Sequence, residues 1–185
     1  MPLSVLDPTP ALVVVDLQLA TVGSPTVHPT ADVVRRSARL AAAFRERDLP
    51  VVLTTARLDA PPPGRTQLGG NRPPVPEDAL ALVPELDARP SDLRGEHHGW
   101  SSLDATLTAG LRERGVTQLV LVGLATSYGV ESTARDAYDA GFHVVVVVDA
   151  TTDLTEDGYR HAVDGVFPVL GETTTTDEVL AALRR

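Results

Sequence analysis

The feature of this sequence that most constrains its fold is a set of four short runs rich in valine and leucine. They occupy residues 11–16, 50–55, 119–124 and 143–149. Their apolar residues are continuous rather than alternating, which is typical of strands that are covered on both faces. The pattern therefore predicts a central, mostly parallel β-sheet.

Segments with helical spacing of apolar residues lie between and after these runs. They occupy residues 31–48, 103–114, 130–141, 155–166 and 176–184. Strands that alternate with helices predict a three-layer α/β/α sandwich, Rossmann-like, with a sheet of roughly five or six strands. The length of 185 residues fits a single domain over residues 1–185.

The third of these helical segments follows a strand and a tight turn. Its buried stripe is predicted to contain Val130, Ala134, Ala137 and Tyr138. A turn from a strand into a helix is a common place for catalytic groups, because the helix N-terminus offers free N–H groups.

The composition excludes two common catalytic side chains. The chain has no cysteine, and all 16 of its Lys+Arg residues are arginine. Thiolate chemistry, lysine chemistry and disulfides are therefore excluded. The formal net charge of −9 argues against partners such as nucleic acids or anionic membranes.

The N-terminal residues give an expectation about location. Residues 1–10 lack a basic region and a continuous apolar segment, so a secretory signal is not expected. The longest apolar runs are too short to cross a bilayer. We therefore expect a cytoplasmic protein.

Asp16 is the first candidate site residue, because ligands of open α/β sheets bind at the carboxyl ends of the strands. It directly follows the first apolar run. A partly desolvated carboxylate at this place suits general acid or base catalysis. The alternative is that Asp16 only caps the following turn.

A second candidate is the segment 96–100, which contains His97, His98 and the only tryptophan, Trp100. It lies between a predicted short strand at 92–96 and the helical segment that begins at residue 103. The alternative is an ordinary surface turn. The two histidines are adjacent and have no Asp-x-His or His-x₃-His spacing, so no metal site is expected.

Two further segments have open interpretations. Asp149 follows the last apolar run, and capping of Thr151 and Thr152 is the favoured interpretation. The Pro- and Gly-rich segment 59–76 is predicted to be a long loop that covers an active site or is disordered. Motifs of the forms GxGxxG, GxxxxGK[ST] and GxSxG are absent from the sequence, which disfavours nucleotide binding and an ordinary serine-hydrolase triad.

Three motifs together resemble the isochorismatase-like (cysteine hydrolase) family. They are VVVDLQ from Val13, EHHGWSSL from Glu96 and GLATSYGVESTARDA from Gly123. The resemblance runs from about residue 10 to the C-terminus. It implies a three-layer α/β/α fold with a central parallel sheet, which agrees with the apolar pattern.

The resemblance also implies the positions of a catalytic triad. The aspartate of the family triad falls on Asp16, the lysine on His97 and the cysteine on Gly129. Most members resemble amidases with the full triad, whereas isochorismatases proper have glycine at the cysteine position. This chain therefore resembles the branch with glycine in place of the cysteine.

The resemblance implies two further properties of the site. The metal-binding Asp-x-His of some members falls on Ala56 and Leu58, so neither a metal nor another cofactor is expected. A cis peptide bond is expected near Leu124–Ala125, with the N–H groups of Ala125 and Gly129 facing the substrate.

The activity implied by the resemblance is a vinyl-ether type of hydrolysis without a covalent intermediate. Asp16 would be the general acid, and His97 its electrostatic or hydrogen-bonding partner. A neutral His97 suits an acid, whereas a protonated His97 mimics the lysine, and both states stay open. Further residues are predicted to contact a small, anionic or cyclic substrate: Gln18, Trp100 and Tyr128 as pocket lining, and Arg57 and Arg65 as anchors for a carboxylate.

Two other classes of function stay open. One is a ligand-binding pseudoenzyme that has lost the lysine and cysteine, and the other is a lyase or isomerase of specialised metabolism. The resemblance further implies a homodimer or a larger homo-oligomer, with segment 59–76 as a candidate cover for a neighbouring site.

Overall fold

Six parallel strands form the centre of the fold. In the computed structural model, which describes residues 3–61, 64–67 and 75–185, they form one sheet. The strands are β1 (Pro10–Val15), β2 (Val51–Ala56), β3 (Leu93–His97), β4 (Gln118–Leu124), β5 (His143–Thr152) and β6 (Glu172–Thr174). Their order is β3-β2-β1-β4-β5-β6, and every neighbouring pair is parallel.

Helices connect the strands on both sides of the sheet. The α-helices are α1 (Leu19–Val22), α2 (Thr30–Arg45), α3 (Ala105–Glu113), α4 (Glu131–Asp139), α5 (Glu156–Arg160), α6 (Phe167–Leu170) and α7 (Thr176–Leu183). Short 3₁₀-helices lie at Glu77–Leu80 and Pro84–Leu86, and π-helical turns at Thr126–Val130 and His161–Val166. No α-helix in the described ranges is long and apolar enough to span a membrane.

The two faces of β1 show why its apolar run is continuous. Leu12 and Val14 belong to a core with residues of α2 and α7. Ala11, Val13 and Val15 belong to a second core with residues of α3 and α4. The predicted three-layer α/β/α fold with a six-stranded parallel sheet is therefore confirmed.

Two local predictions from the sequence are wrong. Tyr138 is 53% exposed. The buried side of this segment consists of Val130, directly before α4, and of Ala134 and Ala137 within it, which are all 0% exposed. Asp149 does not end a strand, since β5 continues to Thr152.

The side chain of Asp149 also has different partners from the predicted ones. Its Oδ1 accepts hydrogen bonds from the backbone N–H and the hydroxyl of Thr176, and Oδ2 pairs with Arg36. Asp149 therefore links the start of α7 to α2, instead of capping Thr151 and Thr152.

Gly123 allows a close approach of β4 to β1. Its φ is +115°, and a Cβ at this position would lie 2.0 Å from the carbonyl oxygen of Val15. The register between β4 and β5 shifts between Leu121 and Gly123. Only a residue without a side chain fits here, and the end of β4 is thereby held against the end of β1.

Candidate active site

The candidate site lies at the carboxyl end of the sheet, where the strand order reverses around β1. Asp16 directly follows β1, His97 ends β3, and the turn at Thr126–Val130 follows β4. Ligands of open α/β sheets bind at such a reversal. The structure thus brings together Asp16, His97 and Gly129, which are distant in sequence.

The carboxylate of Asp16 is held by two neighbouring strands. Its residue is only 7% exposed, and its φ of +51° is rare for a residue other than glycine. Oδ1 accepts a hydrogen bond from Thr54 Oγ1 at 3.1 Å and lies 2.9 Å from His97 Nε2. Unusual backbone conformations of this kind cluster at functional sites.

The tautomer of His97 follows from its second contact. Nδ1 lies 2.9 Å from the carbonyl oxygen of Gly99, which can only accept, so Nδ1 carries a hydrogen. A short contact between Nε2 and Asp16 Oδ1 then requires one further proton, on the imidazole or on the carboxyl group. His97 and Asp16 therefore share one proton.

Opposing effects act on the pKa of His97. Burial lowers the pKa, but the hydrogen bond to Asp16, the negative charge of Asp16 and the hydrogen bond to the Gly99 carbonyl together raise it above its usual value. These contacts therefore favour the imidazolium form of His97 more than water does for a free histidine. In this form His97 places a positive charge where the resemblance expects a lysine.

Thr54 and Ser102 contact the pair, and neither was predicted from the sequence as a site residue. Thr54 is 0% exposed and Ser102 3% exposed. Their hydroxyl oxygens are 2.9 Å apart, Ser102 Oγ lies 3.3 Å from His97 Nε2, and Thr54 Oγ1 lies 3.3 Å from the carbonyl of Val14. These contacts join residues on different strands and loops, so no local sequence pattern predicts them.

Gly129 faces the other oxygen of the Asp16 carboxylate. A Cβ at this position would lie 3.6 Å from Asp16 Oδ2, 3.0 Å from the Leu124 carbonyl oxygen and 3.1 Å from Val15 Cγ1. The expected cis peptide bond is present between Leu124 and Ala125, directly before the turn that carries Gly129. The missing side chain leaves space beside Oδ2.

Asp153 is a second buried carboxylate near the turn, and the sequence analysis missed it. It follows β5, is 0% exposed and accepts hydrogen bonds from the backbone N–H groups of Ser127 and Leu154. It therefore anchors the start of the turn. Asp153, and not the predicted Asp149, is the carboxylate that directly follows β5.

The aromatic residues predicted to line the pocket lie next to each other. The ring centroids of Trp100 and Tyr128 are 5.1 Å apart, and the residues are 56% and 42% exposed. Tyr128 precedes Gly129, and Trp100 follows the Gly99 that binds His97. They form an exposed apolar edge of the site.

The other predicted contacts lie in different surroundings. Gln18 is 0% exposed, and its amide bonds to the backbone of Ala56 and Leu80, so it links segments beneath the site. Arg57 pairs with Asp59 and Glu96. Arg65 is exposed within residues 64–67, and the predicted cover at 59–76 lies partly outside the described residues.

Possible metal ligands do not converge in the part of the chain that the structure describes. No group of three or more His, Cys, Asp or Glu side chains there could hold a metal ion. The chemistry that the site offers consists of one carboxylate, one imidazole, buried hydroxyl groups and a space beside Gly129.

These features define a Rossmann-like α/β/α protein with a carboxylate–imidazole pair at the strand ends. Residues 10–178 match the Isochorismatase domain. The chain therefore belongs to the isochorismatase family, and the resemblance drawn from the sequence motifs is confirmed.

Individual relatives agree over nearly the whole chain. The uncharacterized isochorismatase family protein YecD of Escherichia coli O157:H7 is 32% identical, with 95% of this chain and 96% of the relative covered. An isochorismatase family protein from Burkholderia thailandensis has a solved structure with a TM-score of 0.92 and 38% identity, covering 98% of both chains.

Two relatives are named for a reaction. The ureidoacrylate amidohydrolase RutB of Methylobacterium radiotolerans is 33% identical, with 85% of this chain and 72% of the relative covered. The N-carbamoylsarcosine amidase of Thermoplasma acidophilum has a TM-score of 0.75 and 25% identity, covering 91% of this chain and 97% of that one.

Proposed function

We propose that the protein is a hydrolase of small metabolites that works by general-acid catalysis from Asp16, without a covalent intermediate. Family membership and relatives named as amidohydrolase and amidase support hydrolysis. The observation that carries the acid mechanism is the space at Gly129, which faces Asp16 Oδ2 where a nucleophile would otherwise stand. The chain has no cysteine to supply a thiolate.

The proposed substrates are enol ethers. Asp16 takes up the shared proton, and the carboxylic acid, which faces the substrate through Oδ2, transfers a proton to the terminal carbon of the enol ether. The electron pair of the C=C bond forms the new C–H bond, which leaves an oxocarbenium ion. Water adds to this ion, its extra proton returns to Asp16, and the hemiketal then collapses to a ketone and an alcohol.

The surroundings of Asp16 fit this role. Thr54 and His97 both contact Oδ1, whereas Oδ2 faces the space beside Gly129. The carboxylate that forms on proton transfer is therefore stabilised at one oxygen while the other faces the substrate. Trp100 and Tyr128 offer ring faces to a cyclic substrate at the edge of the site.

A comparison of two substrate sets tests the proposal. A series of enolpyruvyl ethers, followed by pyruvate release, is compared with a matched series of small amides, followed by ammonia release. We expect the ethers to be hydrolysed and Asp16→Asn to reduce their turnover by about 10²-fold or more.

An exposed carboxylate serves as the control. Asp177→Asn removes a carboxylate whose side chain is 84% exposed, and it should leave turnover unchanged. Ether hydrolysis that survives in Asp16→Asn would overturn the proposal. Binding of the ethers without any hydrolysis would favour the ligand-binding pseudoenzyme instead.

A further inference from the structure

Two buried hydroxyl groups close a ring of hydrogen bonds with the acid–imidazole pair. The ring runs from Asp16 Oδ1 to His97 Nε2 at 2.9 Å, to Ser102 Oγ at 3.3 Å, to Thr54 Oγ1 at 2.9 Å and back to Oδ1 at 3.1 Å. Each hydroxyl has one hydrogen, which turns toward whichever acceptor is available. The position of the shared proton therefore decides which way the hydroxyls point.

When the proton is on His97, every atom of the ring has a partner. Nε2–H donates to Asp16 Oδ1 and, more weakly, to Ser102 Oγ. The Ser102 hydroxyl then donates to Thr54 Oγ1, and the Thr54 hydroxyl donates to Oδ1. This arrangement is the ion pair.

When the proton has left the pair, so that His97 is neutral and Asp16 is a carboxylate, the nitrogen Nε2 becomes an acceptor. It still faces Oδ1, which is also an acceptor, so this state needs a new donor at Nε2. The Ser102 hydroxyl can turn to supply it, while the Thr54 hydroxyl keeps donating to Oδ1. A buried acceptor without a donor is unfavourable.

We infer that Ser102 is a positioning residue that allows the shared proton to leave the His97–Asp16 pair, because its hydroxyl is the donor that satisfies the neutral imidazole. The expected effect of Ser102 on turnover rests on the proposed function. The effect of Ser102 on the protonation of His97 does not, since the ring of contacts exists without a substrate.

Asp16 is the charged group that contacts the imidazole in the described part of the chain. At the end of β2, Arg57 pairs with Asp59 and Glu96, so its charge is balanced there. Residues 124–130 of the turn after β4 contain no Asp, Glu, Arg or His, although Tyr128 is titratable. His98 follows the last residue of β3 and is exposed.

The test is Ser102→Ala, with ¹⁵N NMR of the histidine rings as a function of pH. Without the hydroxyl, the neutral imidazole loses its donor, so we expect His97 to stay protonated to higher pH than in the wild type. Ser101→Ala is the matched control, because its hydroxyl accepts only from the Leu103 N–H in the described contacts. An unchanged or lower titration midpoint in folded Ser102→Ala would overturn the inference.

Kinetics separate this inference from the proposed function. With an enol ether that the wild type hydrolyses, kcat of Ser102→Ala should fall about tenfold while KM changes little. Ser102→Thr keeps a hydroxyl and should restore the wild-type titration, which also controls for a packing defect. A raised midpoint without any ether hydrolysis would support the role of Ser102 and reject the proposed reaction, whereas hydrolysis with an unmoved midpoint would do the reverse.

Discussion

Gly129 and Asp16 face each other so closely that a Cβ on Gly129 would lie 3.6 Å from Asp16 Oδ2. The same Cβ would lie 3.0 Å from the carbonyl oxygen of Leu124. A side chain at position 129 would therefore lie against Asp16 Oδ2 and crowd the Leu124 carbonyl oxygen.

Gly129→Ala should therefore inhibit turnover without unfolding the protein. The new methyl group occupies the place of the substrate beside Oδ2, and we expect kcat/KM for an enol ether to fall by about tenfold or more. Steady-state kinetics and the thermal midpoint measure the two effects separately. Gly110→Ala is the control, because its Cβ would lie 3.7 Å from Arg114 Nη1, an ordinary van der Waals contact, and it should stabilise α3 by about 0.5–1 kcal/mol. Equal activity of Gly129→Ala and wild type would show that the substrate does not occupy this space.

The sequence predicted the sheet because strands that are buried on both faces have continuous apolar runs. The valine run of β5 and the apolar run of β1 pack against helices on both sides, so their pattern alone identified them. The strand β6 has the sequence Glu-Thr-Thr at the edge of the sheet. Its pairing depends on β5, and the sequence therefore did not reveal it.

Site residues that follow a strand could be predicted from the sequence. Contacts between residues that are distant in the sequence could not. Asp16 and His97 were selected as neighbours of predicted strands. Ser102 and Thr54 are 48 residues apart and meet only through the sheet order. Gln18 was predicted to line the pocket, whereas its amide satisfies buried backbone groups of Ala56 and Leu80.

Gly123→Ala should be far more destabilising than Gly141→Ala. Both glycines have positive φ, of +115° and +82°, so both variants carry backbone strain. Only at Gly123 would the new Cβ also collide with a backbone atom, the Val15 carbonyl oxygen at 2.0 Å, whereas nothing lies within 4 Å at Gly141. We expect a loss of about 1 kcal/mol for Gly141→Ala and more than about 4 kcal/mol, or failure to fold, for Gly123→Ala. Urea denaturation measures both, and similar losses would refute the close approach of β4 to β1.

The stability of the protein should depend on pH through His97. Burial lowers the pKa of His97, but its contacts with Asp16 and Gly99 raise it overall. Because the pKa of His97 is higher in the folded than in the unfolded chain, its protonation stabilises the folded state. This stabilisation is complete below the unfolded-chain pKa of about 6.5 and is lost as the pH rises through the folded-state pKa. The difference in unfolding free energy between wild type and His97→Gln should therefore be largest below about pH 6.5 and shrink above it.

Denaturation at a series of pH values checks this dependence. His161→Gln changes an exposed histidine outside the site and is measured beside His97→Gln as the control. A His97→Gln difference that grows with pH would mean that the folded state binds its proton less strongly than the unfolded chain. That result would contradict the ion pair with Asp16.

Two buried hydroxyl groups should respond in opposite ways to removal. Ser37 is 0% exposed, and its Oγ has no hydrogen-bond partner among the described residues. Ser37→Ala should therefore leave the unfolding free energy unchanged or raise it by up to about 1 kcal/mol. Thr133 is equally buried, but its Oγ1 donates to the Gly129 carbonyl at 2.7 Å and accepts from the Ser102 N–H at 3.0 Å.

Thr133→Val keeps the shape of the side chain and removes both of these hydrogen bonds. We expect a loss of about 1–3 kcal/mol in unfolding free energy, measured by urea denaturation beside Ser37→Ala. Because Thr133 joins the loop that carries Ser102 to the turn that carries Gly129, the variant should also reduce turnover of an enol ether. If Thr133→Val and Ser37→Ala are equally stable, the hydrogen bonds of Thr133 do not hold the two sides of the site together.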